Sequence, residues 1–112
     1  MKIDALSPLP IASEPFRWDR QKFVPSAAGC YVLTTFSGDI LYVGLAIDIQ
    51  RRMGQHLETP AKRAPTPQGR AVTFHWLLCS DLEKVERTWM NIHIEHEGRL
   101  PYLNGAYSPV GI

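Results

Sequence analysis

The sequence predicts an α/β domain of the α+β type, a three-stranded antiparallel β-sheet flanked by helices. Three observations predict it. Two short runs rich in β-branched and apolar residues, 32–36 and 40–41, are punctuated by Ser37-Gly38-Asp39 in the manner of a tight hairpin turn. After Gly44 the period changes, and Ala46, Ile49, Met53 and Leu57 fall at helical spacing as one apolar stripe. A second helical pattern runs from the capping box Ser80-Asp81-Leu82-Glu83 to about residue 97, stopping at Gly98 with Pro101 beyond.

The first segment, residues 1–24, holds prolines at 8, 10 and 15 and no sustained period. It reads as an irregular arm with a short element at 18–23, and Phe16, Trp18 and Phe23 are expected to anchor it to the domain formed by 25–112. The first strand opens at Gly29, where a close backbone approach suits a residue without a side chain. Along it, Tyr31, Leu33 and Thr35 share one face and Val32, Thr34 and Phe36 the other. The second strand, 40–43, returns antiparallel and brings Tyr42 to the same end of the hairpin as Tyr31.

The first helix starts near Asp48, whose carboxylate suits an N-cap. Gly54 weakens its middle by roughly 1 kcal/mol relative to alanine. Arg52 and His56 are four apart and share a second face. Residues 58–69 hold three prolines and are expected to form a loop, with Lys62 and Arg63 placed to touch a phosphate backbone. Residues 71–79 read as a mostly buried third strand. In the last helix Leu82, Val85, Trp89 and Ile92 form the core stripe, and Glu86, Met90 and His93 lie beside it. Residues 101–105 are a turn-rich closing piece.

Hairpin and helix together direct two tyrosines, an arginine and a histidine to one place. The motifs Gly29-Cys30-Tyr31 and Tyr42-Val43-Gly44, followed by Arg52 and His56, resemble the spaced constellation of the GIY-YIG nuclease superfamily. The resemblance covers residues 25–105 and implies that family's fold and an endonuclease activity. It departs from the family's pattern at Cys30, where isoleucine or valine is usual, and at Leu45, where a small or polar residue is common. Neither departure removes a catalytic group.

Phosphodiester hydrolysis needs an oriented, deprotonated water, donors for the charge of the transition state, and a stabilised leaving oxygen. Arg52 is assigned to the scissile phosphate, where a planar bidentate donor outperforms a point charge, with Arg51 as its fallback. Tyr31 and Tyr42 would orient or activate the water. A tyrosine of unperturbed pKa near 10 is a poor base at neutral pH, so it needs a neighbour, and His56 is the obvious one. The resemblance implies a metal-binding glutamate early in the last helix, followed three residues on by an aromatic. Glu86 and Trp89 match that spacing, and Glu95 or Glu97 stand as rivals. It also implies a late asparagine, matched by Asn104, which is expected to contact the nucleic acid. A single carboxylate suits Mg²⁺ or Mn²⁺, which keeps several waters and accepts phosphate oxygens. His75, His93 and His96 read as structural or surface residues.

The chain has 112 residues and a formal net charge of +1, low for a protein devoted to binding DNA. Distribution matters more than the sum. Residues 51–70 carry Arg51, Arg52, Lys62, Arg63 and Arg70 against Glu58, and residues 81–97 are the acidic counterpart, a segregation that allows a local basic patch on a nearly neutral protein. No apolar run reaches the roughly 20 residues that span a bilayer, so no membrane partner is expected. Two cysteines without a CxxC pair, and no signal pattern, predict reduced buried thiols in a cytoplasmic protein. With no DNA-reading domain in view, specificity would come from loops, a homodimer or a partner protein. The alternative is the same fold kept as a nucleic-acid or protein binding module with weak or absent catalysis, a reading favoured by the low net charge.

Overall fold

The computed structural model describes residues 1–104. Its sheet has four strands rather than three: β1 (Ala12–Pro15), β2 (Gly29–Thr34), β3 (Ile40–Ala46) and β4 (Thr73–Leu78), ordered β1-β4-β2-β3 and antiparallel throughout. The additional strand comes from the arm that the prolines had marked as irregular. Proline is excluded from central strands because it cannot donate to the ladder, but Pro15 closes an edge strand, where that loss is tolerated. Two short 3-10 turns, Ile3–Ala5 and Trp18–Phe23, complete the arm. Of its three expected aromatic anchors only Phe16 is buried, whereas Trp18 and Phe23 stay half exposed.

Gly38, at φ 90°, turns the β2–β3 hairpin in the left-handed region that glycine tolerates best. Thr34 pairs with Ile40 and Leu33 with Tyr42, so Leu41 is left over as a bulge. From there Tyr31 stands opposite Gly44, and β3 runs on to Ala46, three residues beyond its expected end. The sheet is buried on both faces. One face sets Tyr31, Leu33, Tyr42 and Phe74 against Ile49, Met53 and Leu57 of α1 (Ile49–Leu57). The other sets Cys30, Val32, Ile40 and Val43 against Trp89 of α3 (Leu82–Glu97). Trp89 also donates its indole N–H to the Pro8 carbonyl at 2.7 Å, which ties the arm to this second layer.

The stripe at 46, 49, 53 and 57 is buried as its period predicts, and the Asp48 carboxylate caps α1 by accepting from the Arg51 amide at 3.1 Å. The proline-rich stretch after α1 is not loop throughout. A one-turn helix, α2 (Pro60–Arg63), forms with Pro60 in its first turn, where a missing N–H costs nothing. The third strand of the sequence reading alternates between buried and half-buried rather than being mostly buried. At α3 the cap is Asp81, without a side-chain hydrogen bond, so the Ser80–Glu83 capping box is not used. Gly98 ends the helix at φ 74° as expected. Cys30 and Cys79 are free thiols, the first buried and the second half-buried.

After α3 the chain returns along the outer edge of β3. Leu103 N–H donates to the Leu41 carbonyl at 2.8 Å, and the Asn104 amide brackets one residue, its Oδ1 accepting from Val43 N–H and its Nδ2 donating to the Val43 carbonyl, each at 2.9 Å. A side chain thus closes an edge that would otherwise present unpaired backbone. Gly105, the last residue of the expected closing piece, lies outside the described residues. Asn104→Ala leaves two buried backbone groups unsatisfied and is expected to cost about 1–3 kcal/mol, read as a lower urea midpoint at unchanged m-value.

Candidate active site

Hairpin register and helix period meet under the centre of α1. The Tyr31 ring crosses toward Gly44 on the neighbouring strand, and its hydroxyl lies 2.6 Å from His56 Nε2. A Cβ at position 44 would stand 2.5 Å from Tyr31 Oη and 2.8 Å from Tyr42 Cε1, so the glycine of the second motif is the space that the first tyrosine occupies. Tyr42 stacks beside Tyr31 with ring centroids 6.0 Å apart, and the His56 ring meets Tyr42 edge-on at 5.0 Å. Phe74 of β4 stacks on the far side of Tyr31 at 5.1 Å. The two tyrosines and His56 are buried, Arg52 is half-buried, and Arg51 is exposed beside it.

The electrostatics of this cluster are decided by burial. Desolvation, then the charges of Lys62 and Arg52, push His56 down to about 3. A histidine that is neutral at neutral pH offers Nε2 as an acceptor when its proton sits on Nδ1. In that tautomer the Tyr31 hydroxyl donates to it. Lys62 is the residue whose surroundings differ most from the sequence expectation. Expected on a solvated loop, it is carried by α2 into a buried position with Nζ 4.8 Å from the Tyr42 ring centroid, where desolvation lowers its pKa. Thr59 followed by Pro60 was the readable signal for that turn. Phe74 was missed as a wall of the site because β-strand alternation alone does not distinguish it from Trp76.

The structure therefore brings together Tyr31, Tyr42, Arg52, His56 and Lys62. Arg63 and Arg70 are exposed further along the chain. Asn104, expected at a nucleic-acid surface, is buried with its amide on Val43. Glu86 lies on the α3 side of the sheet, near Cys30, whose Sγ lies 3.2 Å from the Leu82 carbonyl in the turn before it. Glu95 and Glu97 are exposed, and Glu97 pairs with the N-terminal amine at 2.9 Å. His75 bonds Thr34 Oγ1, His93 donates to the Arg99 carbonyl, and His96 contacts its own helix, as structural and surface residues do.

Among the described residues no three or more His, Cys, Asp or Glu side chains converge on one point. The carboxylate that the sequence offers to a divalent ion is Glu86, half-buried on α3. Burial and the neighbouring Glu83 raise its pKa on a half-buried helix face, and the nearby Arg87 works against that rise. One carboxylate is a donor set that Mg²⁺ accepts, because water and phosphate oxygens fill its remaining positions.

The chain was compared with known proteins. Residues 27–97, more than half of the chain, match the family model described as the GIY-YIG catalytic domain. No curated protein matches the chain.

Proposed function

The chain belongs to the GIY-YIG family, whose members are generally divalent-metal-dependent endonucleases, and from that premise we propose that it hydrolyses DNA phosphodiester bonds by water attack. The observation that carries this reading is the buried 2.6 Å hydrogen bond between Tyr31 and a neutral His56, with Arg52 close enough to bear on the histidine's charge.

In the proposed mechanism the half-exposed Arg52, with Arg51 beside it, receives the scissile phosphate through its planar fork. Tyr31 and Tyr42 are buried in the free protein, so phosphate binding must first admit the attacking water, which then donates to the Tyr31 oxygen with Tyr42 beside it. As the water attacks phosphorus, its proton passes to Tyr31 while the Tyr31 proton passes to His56 Nε2. An arriving phosphate opposes the fields of Lys62 and Arg52 and so raises the basicity of His56 when a base is needed. Lys62 holds its positive charge over the Tyr42 ring, facing the charge that develops. Glu86, on the α3 side of the sheet, is the carboxylate that would hold a divalent ion, and such an ion would supply Lewis-acid polarisation of a phosphate oxygen. No helix among the described residues is long and apolar enough to cross a membrane.

One observation favours the second reading, a binding module on the same fold: Glu86 has Cys30, Glu83 and Arg87 rather than the tyrosine–histidine pair as its charged and polar neighbours. The test is incubation of supercoiled plasmid and branched DNA with the protein, with Mg²⁺ or with chelator. Cutting is expected only with metal and is expected to fall by at least about 10²-fold in Arg52→Ala and Glu86→Ala. Binding without cutting, unchanged in both variants, would favour the module.

A further inference from the structure

The arm ahead of the family-matched residues carries a surface that the site above does not use. Its 3-10 turn, Trp18–Phe23, is clamped to α1 by a pair of side-chain amides. Gln21 Nε2 donates to the Gln50 carbonyl at 2.8 Å, and Gln50 Nε2 donates to the Val24 carbonyl at 2.9 Å. Gln21 fills the space that a side chain at position 54 would need, since a Cβ there would lie 2.5 Å from its Nε2. Gly54 is therefore a seat for the arm, which offsets its poor helix propensity.

This rigid mount leaves two large rings in solvent. Trp18 is 50% and Phe23 52% exposed, whereas Trp76 and Trp89, the other tryptophans, are buried. Cations accompany them. The Arg20 guanidinium lies 4.4 Å and the Lys22 ammonium 5.4 Å from the Phe23 ring centroid, and Glu14 holds Arg20 in place at 2.9 Å. Residues 14–23 and 48–52 together carry Arg17, Arg20, Lys22, Arg51 and Arg52 against Glu14, Asp19 and Asp48, with Arg17 paired to Asp19 and Arg20 to Glu14. Five cations against three carboxylates leave a net positive surface on a chain of net charge +1, and it includes the arginine assigned to the scissile phosphate.

Exposed rings interleaved with cations are what a single nucleic-acid strand recognises, because bases stack on the rings while phosphates meet the cations. An intact duplex hides its base faces within its own stack and gains nothing from such rings. We propose that the Trp18–Phe23 turn and the first turn of α1 form a docking surface for unpaired DNA, so that the substrate class is DNA with a single-stranded stretch beside the scissile bond. The cleavage half of this statement rests on the nuclease reading, and the binding half does not.

The test therefore separates them. The full chain, held in chelator so that nothing is cut, is titrated with labelled oligodeoxythymidylate and with a blunt duplex of equal length. The single strand is expected to bind more tightly and to quench tryptophan emission, and Trp18→Phe removes that quenching. Trp18→Ala combined with Phe23→Ala lowers single-strand affinity by about ten- to a hundredfold, while Phe36→Ala, at the exposed hairpin tip, leaves it unchanged. Equal affinity in the double variant, duplex bound as tightly as single strand, or no response to either DNA would overturn the surface. If the double variant loses affinity but the wild type never cuts with Mg²⁺, the surface stands and the nuclease reading falls. Cutting by the wild type with unaltered binding by the double variant gives the converse.

Discussion

His56→Gln is expected to slow DNA cleavage by about 10²–10⁴-fold while leaving the fold intact. Glutamine can still accept from the Tyr31 hydroxyl, so the buried phenol keeps a partner, but an amide cannot take the proton that the phenol must pass on. The same variant has a signature in stability against pH. His56 is held down to about 3 by desolvation and by Lys62 and Arg52, whereas in the unfolded chain it protonates near 6.5. Below about 6.5 the unfolded chain binds a proton that the folded one refuses, so stability falls as pH drops from about 6.5 to about 3 and is level above that window. His56→Gln removes this share of the slope, on the order of a few kcal/mol over the window. Urea melts of both proteins at stepped pH read the difference directly. Equal slopes would mean that His56 is solvated and that the relay lacks its dry acceptor.

Gly44→Ala has the second large effect, through shape rather than charge. One methyl group would sit 2.5 Å from Tyr31 Oη, 2.6 Å from Tyr31 Cζ and 2.8 Å from Tyr42 Cε1. Neither ring can yield easily. Tyr31 is stacked between Tyr42 and Phe74, and both rings belong to the packed layer beneath α1. Overpacking of this kind costs about 1–3 kcal/mol, so a Tm lowered by roughly 4–20 °C is expected for a domain of this size. Because the methyl displaces the hydroxyl that bonds His56, cleavage is expected to fall further than lost stability explains, by at least about 10²-fold at a temperature where the variant is folded. A variant with wild-type Tm and rate would show that the Tyr31 ring does not lie across Gly44.

Much of this geometry was legible in the sequence because two periods were intact. Alternation along residues 29–36 separated the Tyr31 face from the Val32 face, and the 46, 49, 53, 57 stripe oriented α1 with Asp48 as its cap, so the tyrosine–arginine–histidine grouping followed from local pattern. What escaped did so for physical reasons. Pro15 concealed a strand because the proline sits at an edge, where the ladder does not need its N–H. The prolines around Lys62 hid a helical turn that proline itself can start. Asn104 gave no local sign that its amide would bracket Val43, since that contact spans 61 residues. Which side of the sheet Glu86 occupies depends on how α3 packs, and no spacing within one helix contains that information.

The most direct test of the proposed relay is a single-turnover cleavage rate on labelled DNA for the wild type, Tyr31→Phe, His56→Gln and the double variant. If the phenol and the imidazole move one proton together, each single substitution costs nearly as much as both, and the double variant is no slower than the worse single. Losses that multiply, or a Tyr31→Phe enzyme that cuts at the wild-type rate, would contradict the relay.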